Sequence, residues 1–295
     1  MEQEVKKAIL PIAGLGTRFL PLSKVMPKIL WPVVDKPMVE YAIREAKESG
    51  IEEIIFITSG RKNIALEYFK PSKSLQDLLR KRGRNHLIKE LDQLKELLKG
   101  LSISVAIQKK PLGDGDAILQ GLPKLNKQPC GVMFCDDIIE SKKPCLLQLI
   151  KIFQTSQRPV IALERIENKE RLSSYGVVEV EKIASRVFKI RRIVEKPKPD
   201  EAPSNLAIVG RYVLTPEVFD YLKKAEVGKK GEIILAEVLQ KMLDDGKTIY
   251  GYEFEGKWLE CGTKEEWLKT HLYFSLKNER YGPKLKKFIK ENRLL

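Results

Sequence analysis

The 295-residue chain contains no run of about 18 consecutive apolar residues, so no membrane-spanning helix is expected. Its opening, Met1-Glu2-Gln3-Glu4-Val5-Lys6-Lys7, has neither the apolar stretch nor the small-residue cleavage site of a secretory signal, and a cytoplasmic protein is expected. Cysteine is scarce: Cys130, Cys135, Cys145 and Cys261 are the only four, and none forms a C-x-x-C pair. A chain this long needs no disulfide staples, so these thiols read as structural rather than metal-binding or redox-active. No Ser/Gly/Pro-rich linker and no internal repeat interrupts the sequence, which favours one continuous domain.

Positive charge, by contrast, is in surplus: 54 Lys and Arg against 40 Asp and Glu, a net charge of +14. The basic residues are spread out, apart from Arg80-Lys81-Arg82-Gly83-Arg84 and Lys284, Lys286 and Lys287. No RNP signature, zinc knuckle or helix-turn-helix accompanies them, so neither a nucleic-acid nor a membrane partner is expected. A lysine-rich surface accounts for most of the surplus, and anionic substrates for part of it.

The first half alternates short apolar runs with helical periodicities. Residues 8–13 and 54–57 read as buried strands, and 102–107 and 131–134 as a third and a fourth strand. Val39, Ala42, Ile43 and Ala46 recur at helical spacing before Gly50, and residues 63–69 fit a short helix. This rhythm predicts an α/β fold, a doubly wound, mostly parallel Rossmann-like sheet flanked by helices, with ligands at the carboxyl ends of the strands. A polar excursion over residues 71–100 keeps a helical period on either side of Gly83 and predicts two amphipathic helices. Further strands are expected over 175–180, 186–194, 206–214 and 248–254, and helices from Thr215-Pro216 and over 232–243. Thr263 and Glu266 form a capping box that opens a C-terminal helical tail, residues 263–295, on a main domain of residues 1–262.

Gly14 and Gly16 directly follow the first strand, where their backbone can turn sharply and approach an anion. Phe19 stands where a dinucleotide fingerprint needs its third glycine, and no Gly-Lys-Ser/Thr follows as a Walker A loop requires. Arg18 and Lys28 supply two fixed cations placed to bracket a triphosphate.

Ala13-Gly14-Leu15-Gly16-Thr17-Arg18-Phe19-Leu20-Pro21, Pro27-Lys28 and Pro32-Val33-Val34-Asp35-Lys36-Pro37 together resemble the opening of the bacterial UTP–glucose-1-phosphate uridylyltransferases, within the sugar nucleotidylyltransferase family. The likeness continues through Gln108-Lys109-Lys110-Pro111-Leu112-Gly113, Asp136-Asp137, Tyr175-Gly176-Val177-Val178, Val194-Glu195-Lys196-Pro197 and residues 205–214. It covers nearly the whole chain, including the helical excursion that thymidylyl relatives lack. The resemblance implies that UTP and glucose 1-phosphate give UDP-glucose and pyrophosphate with magnesium, or manganese in its place, in a homodimer or homotetramer. It further implies that Ala13, Gly14 and Gly16 meet the nucleotide while Gln108 and Gly113 read the uracil. Arg18 and Lys28 would hold the departing phosphates, Gly176 and Glu195 the glucose, Lys196 the sugar phosphate, and Asp136 and Glu260 the metal.

Three positions depart from the family pattern: Ile29 replaces the usual Glu, Asp116 stands in the usual Gly-Leu-Gly-His-Ala segment, and Glu260 replaces Asp. An acidic Asp116 is expected to point away from the phosphates or to face a cation. Glu260 carries one extra methylene, a shift of roughly 1.5 Å unless the side chain folds back. The Gln-Leu-Thr-Asp that usually follows Gly-Glu-Ile is Ile234-Leu235-Ala236-Glu237 here. Two alternatives follow from these departures: a nucleotidylyltransferase for another base or sugar, or a nucleotide-sugar-binding paralogue with weak catalysis.

Overall fold

The computed structural model describes residues 3–60, 64–228 and 231–294. The apolar run after the basic opening forms β1 (Lys7–Pro11), and a tight ribbon, β2 (Pro32–Val33) with β3 (Lys36–Pro37), leads into helix α1 (Met38–Glu48) and strand β4 (Glu53–Thr58). The polar excursion forms α2 (Ile64–Tyr68), α3 (Lys73–Lys81) and α4 (Asn85–Leu98), with Gly83 at φ 65° in the turn between the last two, and returns to β5 (Ser102–Ile107). Helix α5 (Asp114–Gln120) precedes β6 (Cys130–Met133). Residues 137–165, unassigned from the sequence, fold as β7 (Asp137–Glu140), α6 (Cys145–Ser156) and β8 (Val160–Arg165).

After the single-turn α7 (Lys169–Leu172) come β9 (Gly176–Ala184), β10 (Val187–Glu195) and the wholly buried β11 (Leu206–Leu214). Helices α8 (Pro216–Lys224) and α9 (Leu235–Asp244), strands β12 (Tyr250–Glu253) and β13 (Lys257–Glu260), and helices α10 (Lys264–Lys277) and α11 (Gly282–Glu291) complete the chain. No helix among the described residues is long and apolar enough to cross a membrane.

Nine strands join in the order β5-β4-β1-β6-β11-β8-β12-β10-β9. The sheet is mixed, as expected, but parallel pairing makes up four of its eight neighbour contacts rather than most of them: β5–β4, β4–β1, β1–β6 and β8–β12. The second half adds the β9–β10 hairpin, antiparallel by construction, and sets β11 antiparallel to β6 and β8 and β10 antiparallel to β12. Helices cover both faces. Val39, Ile43 and Ala46 of α1 and Leu146, Leu149 and Phe153 of α6 pack on one face. Ile118, Phe219, Leu222, Leu239 and Met242 pack on the other. Ile88 and Leu97 of α4 are also buried, so the excursion is partly seated on its own chain.

Several local expectations are corrected. Thr215 sits at the N-cap position of α8 but makes no cap bond, and its buried Oγ1 has no partner among the described residues. The Thr263 hydroxyl does accept the Glu266 N–H (3.2 Å). Helix α9 starts at Leu235 rather than 232, because Ile234 is extended and Ile233 is tied to the segment around the start of α5: its N–H donates to Leu112 O (2.7 Å) and its carbonyl accepts from Gly115 N (2.9 Å). The short helix is described only from Ile64, residue 63 lying outside the described residues. Trp267 of α10 packs edge-on against Trp31 at 5.0 Å, whereas Leu268 and Leu272 on the same helix are exposed.

Candidate active site

The strand ends β1 and β6 deliver the first components. Beyond β1 the Ile12 N–H still donates to Ile57 O (2.8 Å), which carries the chain out over the sheet edge before it turns. The turn needs a left-handed residue, which Gly16 supplies at φ 62°, and a 3-10 turn over Thr17–Phe19 follows. Phe19 is fully buried against Trp31, with ring centroids 4.5 Å apart, and this anchors the loop from below. At Gly14 a side chain would meet no protein atom within 4 Å, so packing does not explain the glycine; the position faces open space.

Lys28 and Asp136 meet at the centre, the ammonium 2.5 Å from Oδ2. Burial by itself would lower the Lys28 pKa, but the charge of Asp136 and its hydrogen bond together outweigh it and the net shift is upward. Burial likewise opposes ionisation of Asp136, and Lys28 reverses that, leaving its pKa below the usual carboxylate range. The neighbouring Asp137 behaves differently. Burial first, then the Asp136 charge, pushes its carboxyl up to about 7. Both its oxygens are engaged, Oδ1 by the Trp258 indole N–H (2.7 Å) and Oδ2 by Gly210 N–H (3.2 Å). A side chain at position 210 would stand 2.3 Å from Asp137 Oδ2, so the glycine is required there. Buried Arg211 holds this turn: it donates to Phe134 O (2.8 Å) and Asp137 O (2.6 Å), on either side of Asp136, and pairs with Glu45 at 2.8 Å.

Beyond β5, Gln108 is buried and its Nε2 donates to Gly113 O (2.9 Å) and to Asp116 Oδ2 (2.8 Å). Asp116 Oδ1 accepts from Gln120 (3.0 Å). Among the described residues Asp116 meets no cation; its carboxylate accepts from two side-chain amides. Gly113 adopts φ 97° and ψ −179°, a region open essentially only to glycine, and a Cβ there would lie 2.6 Å from Ile233 O. Asp114 Oδ1 accepts from Gly115 N (2.8 Å) and caps α9 by accepting from Leu235 N (3.0 Å). Burial pushes its carboxyl up to about 6.

The β9–β10 hairpin supplies a second group. Gly176 pairs directly with Glu195, whose carboxylate lies 3.3 Å from the Lys196 ammonium. Lys196 leaves the strand with a left-handed backbone, φ 48°, and its N–H donates to Tyr175 O (3.0 Å). Such conformations on residues with side chains concentrate at ligand sites. Across this space Glu260 Oε2 accepts the Tyr175 hydroxyl and lies 3.6 Å from Arg171. Burial raises the Glu260 pKa, partly offset by Tyr175, and the Asp136 charge adds to the rise.

Two cavities result. One, of about 480 Å³, is lined by Ala13, Gly14, Gly16, Lys28, Gln108 and Gly113, and by Asp136, Glu195 and Lys196. The other, of about 210 Å³, is lined by Arg18, Gly176 and Glu260, and again by Asp136, Glu195 and Lys196. Every residue given a nucleotide, phosphate, sugar or metal role by the resemblance lines one or both, whereas Asp116 lines neither. A larger hollow of about 940 Å³ between the helical excursion and Tyr281 holds none of them. Ile29 is buried in the core beside this site, so its apolar side chain replaces a polar group without being left in water.

The oxygens left over suit a hard cation. Asp136 Oδ2 is taken by Lys28 and Glu260 Oε2 by Tyr175, leaving Asp136 Oδ1 and Glu260 Oε1 without protein partners among the described residues. No cluster of three or more His, Cys, Asp or Glu ligands exists among the described residues. Asp136 and Glu260 line the same small cavity, and carboxylate oxygens are the ligand type that magnesium takes, with waters and substrate phosphates as its other ligands.

Sequence reasoning missed Tyr175, Arg171, Trp258, Arg211 and Asp114 as supporting residues. Tyr175 adjoins Gly176 and Arg211 lies in the matched 205–214 run, so position alone was available as a signal for those two.

The chain matches the Nucleotidyl transferase family over residues 7–275. It is 37% identical over 292 residues to UTP–glucose-1-phosphate uridylyltransferase 2 of Staphylococcus saprophyticus, covering 99% of each chain. Among solved structures, a UDP-glucose pyrophosphorylase complexed with UDP-glucose superposes with a TM-score of 0.82 at 35% identity, covering 93% of this chain and 100% of the other. A UTP-bound pyrophosphorylase from Acinetobacter baumannii gives 0.84 at 33% identity, covering 97% and 99%.

Proposed function

Because the chain belongs to the nucleotidyl transferase family, we propose that it is a UTP–glucose-1-phosphate uridylyltransferase, which turns UTP and glucose 1-phosphate into UDP-glucose and pyrophosphate. The observation that carries this reading is the pair of cavities that share Asp136, Glu195 and Lys196. Transfer between two substrates needs two pockets meeting at the reacting atom.

The larger cavity takes UTP. Gly14, with open space where a side chain would stand, lets the backbone come close to the phosphates. Gln108 and Gly113 read the uracil. The smaller cavity takes glucose 1-phosphate, with Gly176 making room and Glu195 accepting from sugar hydroxyls. Lys196, common to both, holds the sugar phosphate against the α-phosphorus. That phosphate is largely ionised near neutral pH and attacks without a general base, so alignment supplies most of the rate, roughly 7–11 kcal/mol at its limit. The α-phosphorus gains one P–O bond to the sugar phosphate and loses the bond to the bridging oxygen of pyrophosphate. Arg18 and Lys28 stabilise the charge that grows on that leaving group. Asp136 and Glu260 would hold magnesium, which neutralises phosphate charge when bound. The protein acts in the cytoplasm as a homodimer or homotetramer, with exposed Leu268 and Leu272 available for the subunit contact.

A pyrophosphate-release assay tests the reaction. Release is expected only when UTP, glucose 1-phosphate and magnesium or manganese are all present. No release above background with either metal would overturn the assignment. Lys196→Ala should raise the KM for glucose 1-phosphate and slow turnover; if neither changes, Lys196 does not hold the sugar phosphate.

A further inference from the structure

Gln108 is the one side-chain amide among the described residues that lines the larger cavity, and its orientation is chemically fixed. Nε2 lies 2.9 Å from Gly113 O and 2.8 Å from Asp116 Oδ2. A backbone carbonyl and a carboxylate accept hydrogen bonds and do not donate them. Were the amide turned over, Oε1 would face two acceptors in a site where Gln108 and Asp116 are only 6% and 9% exposed. Desolvation makes such oppositions costly. Both Nε2 hydrogens are therefore spent inside the protein. Oε1 accepts nothing among the described residues and, unlike Ser23, Trp31, Ser104 and Thr215, Gln108 has no sealed and unpartnered atom.

Asp116 is itself held from the other side, its Oδ1 accepting from Gln120 (3.0 Å) one turn further along α5. Asp116 and Gln120 are thus locked in register by the helix, and Gln108 by Asp116. Sequence position makes this notable, because Asp116 is one of the places where the chain departs from the pattern it otherwise resembles.

We propose that Asp116 is a positioning residue that holds the Gln108 amide with only Oε1 facing the nucleotide, so that the site selects a pyrimidine carrying an N–H at ring position 3. Uracil presents that N3–H donor. Cytosine presents a bare N3 acceptor, which would oppose Oε1 with no hydrogen between. A polar site left unpaired in this way discriminates far more strongly than a change of shape alone. The inference rests on the uridylyl reading above and deepens it.

The test compares UTP with CTP in wild type and in Asp116→Asn. An Asn side chain presents both an acceptor and a donor, so it removes one of the two obligate acceptors that hold the Gln108 amide and leaves Gly113 O as the other. The variant should lower the UTP:CTP ratio of kcat/KM at least about tenfold, through the KM for nucleotide, while the KM for glucose 1-phosphate stays put. Calorimetric affinities for UTP and CTP without sugar phosphate should shift in the same ratio, so the proposal is tested even if turnover is absent. A wild type without turnover but with the expected UTP:CTP binding ratio would indict the assigned reaction, not Asp116. An unchanged ratio in a folded variant would overturn the positioning role. Should Asp116→Asn fail to fold, wild type is tested with 3-methyl-UTP and 5-methyl-UTP. Loss of binding by the 3-methyl analogue of at least about tenfold relative to the 5-methyl analogue supports the proposal, and equal binding overturns it.

Discussion

Lys28→Met separates what the Lys28–Asp136 pair does for folding from what it does for catalysis. Removing one partner of a fully buried ion pair costs about 3–5 kcal/mol, chiefly because the other charge is left buried alone. Here the two side chains remain 24% and 25% exposed, so water recovers part of that loss and about 2–3 kcal/mol is expected. The variant also removes a cation from the leaving pyrophosphate, for which about 10²–10³ in kcat is expected. Lys28→Met/Asp136→Asn leaves neither charge uncompensated. It should regain most of the lost stability and none of the activity. Urea unfolding followed by tryptophan fluorescence reads the first quantity, since Trp31 and Trp258 flank the site, and pyrophosphate release reads the second. If the double variant is no more stable than Lys28→Met, the pair is not what holds this part of the fold together. If Lys28→Met loses less than about 0.5 kcal/mol, the burial argument fails at its first step.

Gly113→Ala should cost about 3 kcal/mol in urea unfolding, from a backbone region reserved for glycine and a Cβ 2.6 Å from Ile233 O; a change below about 0.5 kcal/mol would contradict the geometry. Asp114 titrates at about 6 folded against 3.8 unfolded, so the folded state holds its proton more tightly. Its contribution therefore falls as pH rises from about 4 to 6, by about 3 kcal/mol. Asp114→Asn keeps the Oδ1 acceptor and should flatten that slope in unfolding experiments across the interval; an unaltered slope counts against the assignment. Tyr175→Phe removes the hydroxyl held by Glu260 and should raise the magnesium needed for half-maximal activity about 10–100-fold. No change in that requirement would remove Glu260 from the metal site.

Much of the fold was legible because its cause is local. The run at 54–57 is apolar and rich in β-branched residues, 102–107 alternates serine with apolar residues before Ala106 and Ile107, and the structure makes them β4 and β5. Gly83 broke a helical period, and the chain turns there. What was not legible depends on partners distant in sequence. The start of α9 is set by Asp114, more than a hundred residues earlier, and no periodicity in 232–243 encodes that. Thr215 followed by Pro216 has the form of a cap, yet the hydroxyl is buried without a bond. The segment Cys145–Ser156 buries Cys145, Leu146, Leu149, Ile150 and Phe153 at helical spacing, so the period for α6 was present in the sequence. At the site, the glycine loop and its cations were recognisable as residue types in order. Asp116 was legible only as an oddity, because its partner Gln108 is eight residues away across a turn. Arg211 was invisible as a support, since what it grips is backbone carbonyl on another strand.

The most direct test of the account is the stereochemistry at the α-phosphorus. UTP made chiral there with a single sulfur should give UDP-glucose of inverted configuration, because glucose 1-phosphate in the smaller cavity attacks in line across Asp136 and Lys196. Retention would mean two displacements through a nucleotidylated protein, and the shared-cavity mechanism would be wrong.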